Sequence, residues 1–570
     1  MHRVHARLAR YATPATGFQS QPEPRTIGRV SKGRQLTAGN FLLAGYLVEA
    51  PGRSMWDLPV PDPSFEEALH GFSWLDDLAA IGEGEAREKA QDWVFGWIQR
   101  YGGGRGPGWA PDLAGRRVLR WVNHALFLLA AQDRKASDRF YRSLSQQVVF
   151  LSRRWSKTSP GLPRFEALAG LIYAGLALTG MERHVRPAVA ALARECVDQI
   201  DDEGGLPTRN PEELLEVFTL LTWASMALTE AGHMARPEHL AAIERIAPTL
   251  RSLRHADGGL ARFHGGGRGQ EGVLDTVLAM SGIKAKAPER RAMGFSRISA
   301  GRTTVVVDSA APPKGRASAN GHASTCAFEL TSGRRPLIVN CGSGAQFGAA
   351  WRRAGRATPS HSVLAIEGVS SSRLGAPSMI LGREQELLSE APGDVQINRE
   401  TALDGQRLQV GHDGWRRTHG LTHARTLDVT LDGRGLAGED VMTTLSDADK
   451  AQFERQMDAL KLQGIPLEIR FHLHPEVDAA VDMGGSAVSM ALKSGEVWVF
   501  RHDATAQMSL EASVYLENGR LKPRSGEQIV LRIRALEYTT RVRWSLAKAQ
   551  ETPLSIRDLQ RDDPLGDAET

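Results

Sequence analysis

The feature that most restricts how this chain can fold is a change in the period of its apolar residues near residue 290. Between about 64 and 282 the period is helical. Ala90, Trp93, Val94, Trp97 and Ile98 share one helical face, and Val118, Trp121, Val122, Ala125, Leu126 and Leu129 share another. The breaks carry Gly, Pro or a capping residue, as in "TSPGLP" and "DDEGGLPTRNPEE". In the second break, Asn210, Pro211 and two glutamates form a helix start. The amide accepts free N–H groups, the ring has a helical φ, and the acids sit at the positive end. The stretch predicts about eight to ten helices, antiparallel to their neighbours because the connections are short. No tight repeat marks a regular solenoid, so a helical array or ring is expected.

After "SGIKAKAPERRAMG", residues 281–294, the period falls to two. "TTVVVD", "PLIVNC", "HSVLAIEG", "LEIRFHLHP", "EVWVFRHD" and "EQIVLRIRA" alternate as strands do, with Gly, Asp, Asn and Pro between them. They predict a large antiparallel sandwich. "SDADKAQFERQMDALKLQG", residues 446–464, interrupts the alternation as a helical or looped insertion. The fold class is therefore α+β and multidomain: a helical domain over 61–285, then a β-sandwich over 295–550. Residues 1–60 read as an N-terminal extension and 551–570 as a tail.

Apolar residues make up 41% and charged residues 24% of the 570, an ordinary globular balance. The net charge of +4 is too even to argue for a nucleic-acid partner. Local clusters say more: "WRRAGR" at 351–356 and "WRRTHG" at 415–420 set Trp beside paired Arg. That pairing suits a sugar ring bearing an acid, since the ring stacks and the guanidinium forks onto the acid. Exposed basic loops explain such clusters as well. The three cysteines, Cys196, Cys326 and Cys341, form no disulfide framework and are expected as buried thiols. No run reaches the ~18 apolar residues of a membrane span. The basic N-terminal stretch has no apolar run of signal-peptide length, which predicts a cytoplasmic chain.

Phosphate loops, dinucleotide fingerprints, paired-cysteine motifs and G-x-S-x-G elbows are absent from the sequence. Histidines at strand ends and turns are the main chemical signal. His322 and His361 each precede a strand, and His264 lies in the glycine-rich turn "GGLARFHGGGRG". His472 and His474 share one strand face, a spacing that can bind metal or simply make a polar sheet face.

In order along the chain, "LHGFSWLDDLAA", "WAPDLAGRRVLRWVNHALFLL", "EGGLPTRNPEELLE", "HADGGLARFHGG", "GHASTCAFELTSGRRPLIVNCGSG", "HSVLAIEG" and "GLTHARTLDVTLDGRGLAGEDVM" resemble the heparinase II/III-like polysaccharide lyases across most of 60–545. Some alginate lyases share that architecture. The resemblance implies an incomplete α/α toroid followed by an antiparallel β-sandwich, with the active site between them. It also implies β-elimination at a uronic acid. There the carboxylate must be neutralised, a base must take the C5 proton, and an acid must protonate the leaving oxygen.

The same resemblance assigns roles residue by residue. Asn210 would face the substrate carboxylate with Arg209 beside it, although Asn210 reads equally as a helix cap. His264 falls roughly where relatives carry a catalytic tyrosine, and none of the seven tyrosines lies there. His322, Asn340 and His361 stand where relatives hold zinc with His, Asp and His. A neutral amide oxygen is a poorer zinc ligand than a carboxylate, and without metal the three form a hydrogen-bonded cluster instead. Asn320 replaces a second, catalytic histidine.

Three readings follow. In the first, a lyase cleaves an acidic, uronate-containing polysaccharide. Asn210, Arg209 and Arg262 neutralise the carboxylate, His264 and His361 act as acid and base, and Trp109 or Trp351 stacks on the sugar. In the second, a catalytically degenerate member binds an anionic glycan or envelope polymer without cleaving it, as the missing tyrosine, Asn320 and Asn340 favour. The third, a glycoside hydrolase, needs two carboxylic acids across the cleft. Asp202, Glu203, Asp257 and Glu271 lie in suitable loops, but no pair stands out. An acidic polysaccharide is the expected partner, and a structural zinc is the only cofactor the resemblance suggests. A glycan-degrading role places the chain in the periplasm or envelope, against the cytoplasmic reading of its N-terminus. The first reading requires Asn210 and His264 to meet His322 and His361 across an open groove.

Overall fold

In the helical half, Pro111–Asn123, Leu162–Ala177 and Pro211–Glu230 pack side by side. Arg134–Arg154, Val185–Gln199 and Pro237–Leu253 pack around them. Leu162–Ala177 is apolar on nearly every face, so it belongs at the centre of a helical layer, and every residue from Phe165 to Ala177 is buried. Two glycines set a close crossing of Pro111–Asn123 with Leu162–Ala177. A Cβ on Gly115 would lie 2.3 Å from the Glu166 carbonyl oxygen, and one on Gly170 would lie 2.4 Å from that of Gly115. Only glycine allows this backbone contact. The computed structural model describes residues 1–20, 24–82, 84–289, 291–380 and 383–550. The expected tail, 551–570, lies outside the described residues.

The described residues among 1–60 are bound into the helical layer. His2–Ala9 packs on Arg134–Arg154 with Ala6 and Ala9 buried, and Gln146 Nε2 donates to the Ala6 carbonyl at 2.9 Å. Arg25 pairs with Glu230 near Tyr173. A short hairpin, Asn40–Leu43 with Tyr46–Glu49, completes the segment.

The last helix of the helical half is Val273–Ser281 and the first strand of the sandwich Phe295–Ala300, so the change of period falls where the architecture changes. One sheet runs in the order Val395–Thr401, Gly405–Trp415, Leu421–Thr430, Gly435–Thr443, Thr539–Gln550, Val497–His502, Ala487–Ala491, Asp478–Asp482. The other runs Gln507–Tyr515, Arg524–Ala535, Ile465–Leu473, Arg335–Val339, Phe328–Ser332, Thr303–Asp308, Phe295–Ala300, with Leu364–Ile366 beside Ile465–Leu473. Phe328, Phe471, Phe500 and Trp544 fill the space between the sheets, with Phe328 and Trp544 stacked 5.8 Å apart. The expected insertion is the helix Asp447–Ala459, started by the Ser446 side chain accepting from Asp449 N–H. The fold is an incomplete α/α toroid followed by an antiparallel β-sandwich.

Candidate functional site

Asn210 caps Pro211–Glu230. Its Oδ1 accepts from the N–H groups of Glu212 at 3.0 Å and Glu213 at 3.2 Å. The loop leaving the helical half packs over this cap so tightly that a Cβ on Gly266 would lie 2.3 Å from Asn210 Oδ1. This carries His264, in the left-handed conformation at φ 48°, against the sandwich. His264 Nδ1 accepts from the His322 N–H at 3.1 Å, and its Nε2 lies 3.3 Å from Asp308. His361 Nδ1 donates to the Ala357 carbonyl at 2.9 Å, so its Nε2 is the acceptor of the 3.0 Å bond from His322 Nδ1. The residues from the two halves therefore meet.

They meet out of reach of solvent. His264 is 0% exposed, His361 1%, His322 3% and Asn210 9%. Burial holds His361 neutral, with its pKa down at about 4 against the opposing effect of the Ala357 carbonyl. It lowers His264 and His322 as well. Burial alone would raise Asp308, but Arg209 and His264 beside it hold this carboxyl below the usual range.

Several expected roles are corrected by this geometry. Arg209 is tied to the protein itself. Nε donates to the Met293 carbonyl at 3.1 Å, Nη1 to that of Ala311 at 2.9 Å, and Nη2 to Gly294 at 2.8 Å and to Asp308 at 2.6 Å. No guanidinium nitrogen is left over for a substrate acid. Trp109 is not a stacking platform but a core residue, 2% exposed, with its indole N–H donating to the Tyr101 carbonyl at 2.9 Å. Trp351 is partly exposed on the helix Ala349–Gly355 but does not line the interdomain cleft. Arg262 does line it. Its guanidinium lies 4.0 Å from the Tyr515 ring, with Nη2 donating to the carbonyls of Cys341 and Leu516. Asn320 accepts from Arg352 at 3.0 Å.

Of the residues matched to the relatives' zinc ligands, Asn340 offers a neutral amide where a carboxylate would bind zinc better. Asn340 Oδ1 accepts from the Ser362 N–H at 3.0 Å, and the His322 and His361 nitrogens that would face an ion bond each other directly. His472 is likewise satisfied by Ser513 and the Pro359 carbonyl. Of the acids weighed for hydrolysis, Glu203 holds Arg291 and the Gly294 N–H, and Asp257 pairs with Arg268.

The open space lies beside the histidine cluster. A cleft of about 1450 Å³ runs between the toroid and the sandwich. Basic residues outnumber acidic ones on its walls, among them Arg25, Arg116, Arg262, Arg268, Arg335 and Arg524. Two buried carboxylates, neither lining the cleft, hold the residues behind it and were not picked out by sequence reasoning. Asp308 holds Arg209 and Ser324, while Glu329 accepts from His255 at 3.1 Å and the Arg262 N–H at 3.1 Å. The signal was present: both charges stand inside apolar strands, "TTVVVD" and "AFEL", where an acid requires a partner.

A toroid joined to a sandwich is a fold this chain shares with solved polysaccharide lyases. The model of the family described as heparinase II/III-like, C-terminal, matches residues 283–545. FtsZ-localized protein C of Caulobacter vibrioides is 30% identical over 96% of this chain and 92% of its own length. The crystal structure of heparinase III superposes with a TM-score of 0.66 at 12% identity, covering 96% of this chain and 89% of that one. A mutant of heparan sulfate lyase HepC from Pedobacter heparinus gives 0.59 at 15%, covering 97% and 88%. The chain belongs to the heparinase II/III-like polysaccharide lyase family. Among its described residues no helix is long and apolar enough to cross a membrane.

Proposed function

We propose that this protein binds an anionic polymer in the basic interdomain cleft and does not cleave it. The observation that carries this reading is the contrast between the two halves of the site. His264 and His361 are buried and bonded to their own neighbours, whereas the arginine-rich cleft beside them is open. A base must come within hydrogen-bond reach of the C5 proton, and a residue without solvent contact has no route to it. The cleft needs no such chemistry to hold carboxylates or sulfates, which guanidinium groups grip in pairs. The name of the Caulobacter relative supports placing this chain with FtsZ.

The lyase reading is supported by the fold and by Tyr515 on the cleft wall. Burial, however, pushes that phenol up, away from the ionisation a base needs. One experiment separates the two. The purified chain is incubated with a panel of uronate polymers and followed for the near-ultraviolet absorbance of an unsaturated uronate and for thermal stabilisation. Stabilisation without new absorbance, lost in an Arg262→Ala/Arg268→Ala variant, is expected. New absorbance that disappears in His361→Ala establishes the lyase instead.

A further inference from the structure

We propose that Cys326, His412 and His423 form a zinc site in the sandwich, separate from the cleft and from the His322–His361 pair. One ligand atom from each of the three lies within 4.8 Å of the others, and all three residues are buried. Sulfur and imidazole are the donors zinc prefers. His412 Nε2 and His423 Nδ1 stand 3.3 Å apart. That is close to the edge of about 3.4 Å for a tetrahedron with ~2.0–2.1 Å zinc–nitrogen bonds.

The surroundings suit the ion. His423 Nε2 donates to Asp440 at 2.8 Å, which leaves Nδ1 as the ligand atom. Asp440 is in turn fixed by both arms of Arg425 and by the Trp544 indole N–H. A histidine oriented by a carboxylate on its far nitrogen is the usual support for a bound zinc. Cys326 holds a left-handed backbone at φ 71°, rare outside glycine, and its sulfur also faces the Val410 carbonyl at 3.5 Å.

Loading requires two proton movements. The Cys326 thiol loses its proton to solvent, and the His412 proton moves from Nε2 to Nδ1. The second displaces the Gly414 N–H that now donates to Nδ1 at 3.1 Å. Gly414 sits where the strand register is already broken between His412 and Trp415, so it has no register partner on the neighbouring strand.

The test uses the full chain purified without a histidine tag and refolded with zinc or with cobalt(II). We expect one zinc per chain, and a thiolate-to-cobalt absorption band in the near ultraviolet. Cys326→Ser should lose both, while His361→Ala should keep both. Absence of bound metal, cobalt bound without the thiolate band, or metal lost in His361→Ala and kept in Cys326→Ser would each overturn the proposal. If Cys326→Ser does not fold, the cobalt spectrum of the unaltered chain decides alone.

Discussion

Arg209→Ala separates a structural arginine from a substrate-binding one. In the structure its guanidinium leaves the helical half and bonds carbonyls of Met293, Gly294 and Ala311 and the carboxylate of Asp308, all in or just before the sandwich. Truncation strands Asp308, which is 0% exposed, with only Ser324 and His264 as partners. Breaking a buried pair from one side costs about 3–5 kcal/mol. At roughly 2–4 °C per kcal/mol for a domain of the sandwich's size, melting should fall by about 6–20 °C.

The pH dependence carries a sign. The folded-state pKa of Asp308 is depressed, so its contribution is present above the ordinary carboxylate pKa and lost as pH falls through the lowered value. Without Arg209, burial pushes Asp308 the other way. The stability gap between wild type and variant should therefore be widest near neutrality and narrow below about pH 4. Arg209→Lys should not restore it, because an ammonium cannot fork between a carboxylate and several carbonyls. Urea and thermal unfolding at neutral and acid pH measure these quantities. If Arg209→Ala unfolds within about 0.5 kcal/mol of wild type and instead loses polymer binding, the reasoning is refuted and Arg209 faces the ligand.

Other outcomes follow from the same geometry. His361 and His472 are both held neutral by burial with pKa values of about 4, while their unfolded forms protonate near 6.5. Unfolding therefore takes up protons between those values, and each histidine should remove up to ~3 kcal/mol of stability as pH falls from 6.5 to 4; an unfolding midpoint flat across that window contradicts this. Trp109→Ala should destabilise the helical half by ~3–5 kcal/mol while leaving polymer affinity unchanged, as calorimetry beside a binding titration would reveal. Polymer binding should weaken steeply with added salt, since exposed cleft charges are screened beyond ~8–10 Å; a salt-independent affinity argues against the arginine-lined wall as the contact surface.

Much of the architecture was legible because periodicity is a local property. The change near residue 290, the cap at Asn210–Pro211 and the insertion at 446–464 each declare themselves within a few residues, and the helices Pro211–Glu230 and Asp447–Ala459 begin where their caps require. The meeting of His264 with His322 and His361 was readable only through family resemblance, since 58 and 39 residues separate the bonded pairs along the chain. Individual roles were less legible. Arg209 and Arg262 look alike in sequence, both beside glycine- or asparagine-containing turns, and both donate to carbonyls, yet only Arg262 borders the cleft.

By itself, the order of apolar and polar residues determined that a helical ring precedes a β-sandwich, because burying each apolar face leaves few other arrangements. Which side chains stand free for a ligand was decided only in three dimensions. A guanidinium or imidazole is available or unavailable according to the carbonyls and carboxylates brought to it from distant segments. The buried acids Asp308 and Glu329 made that choice here, drawing in Arg209, His264 and His255, while other arginines line the cleft.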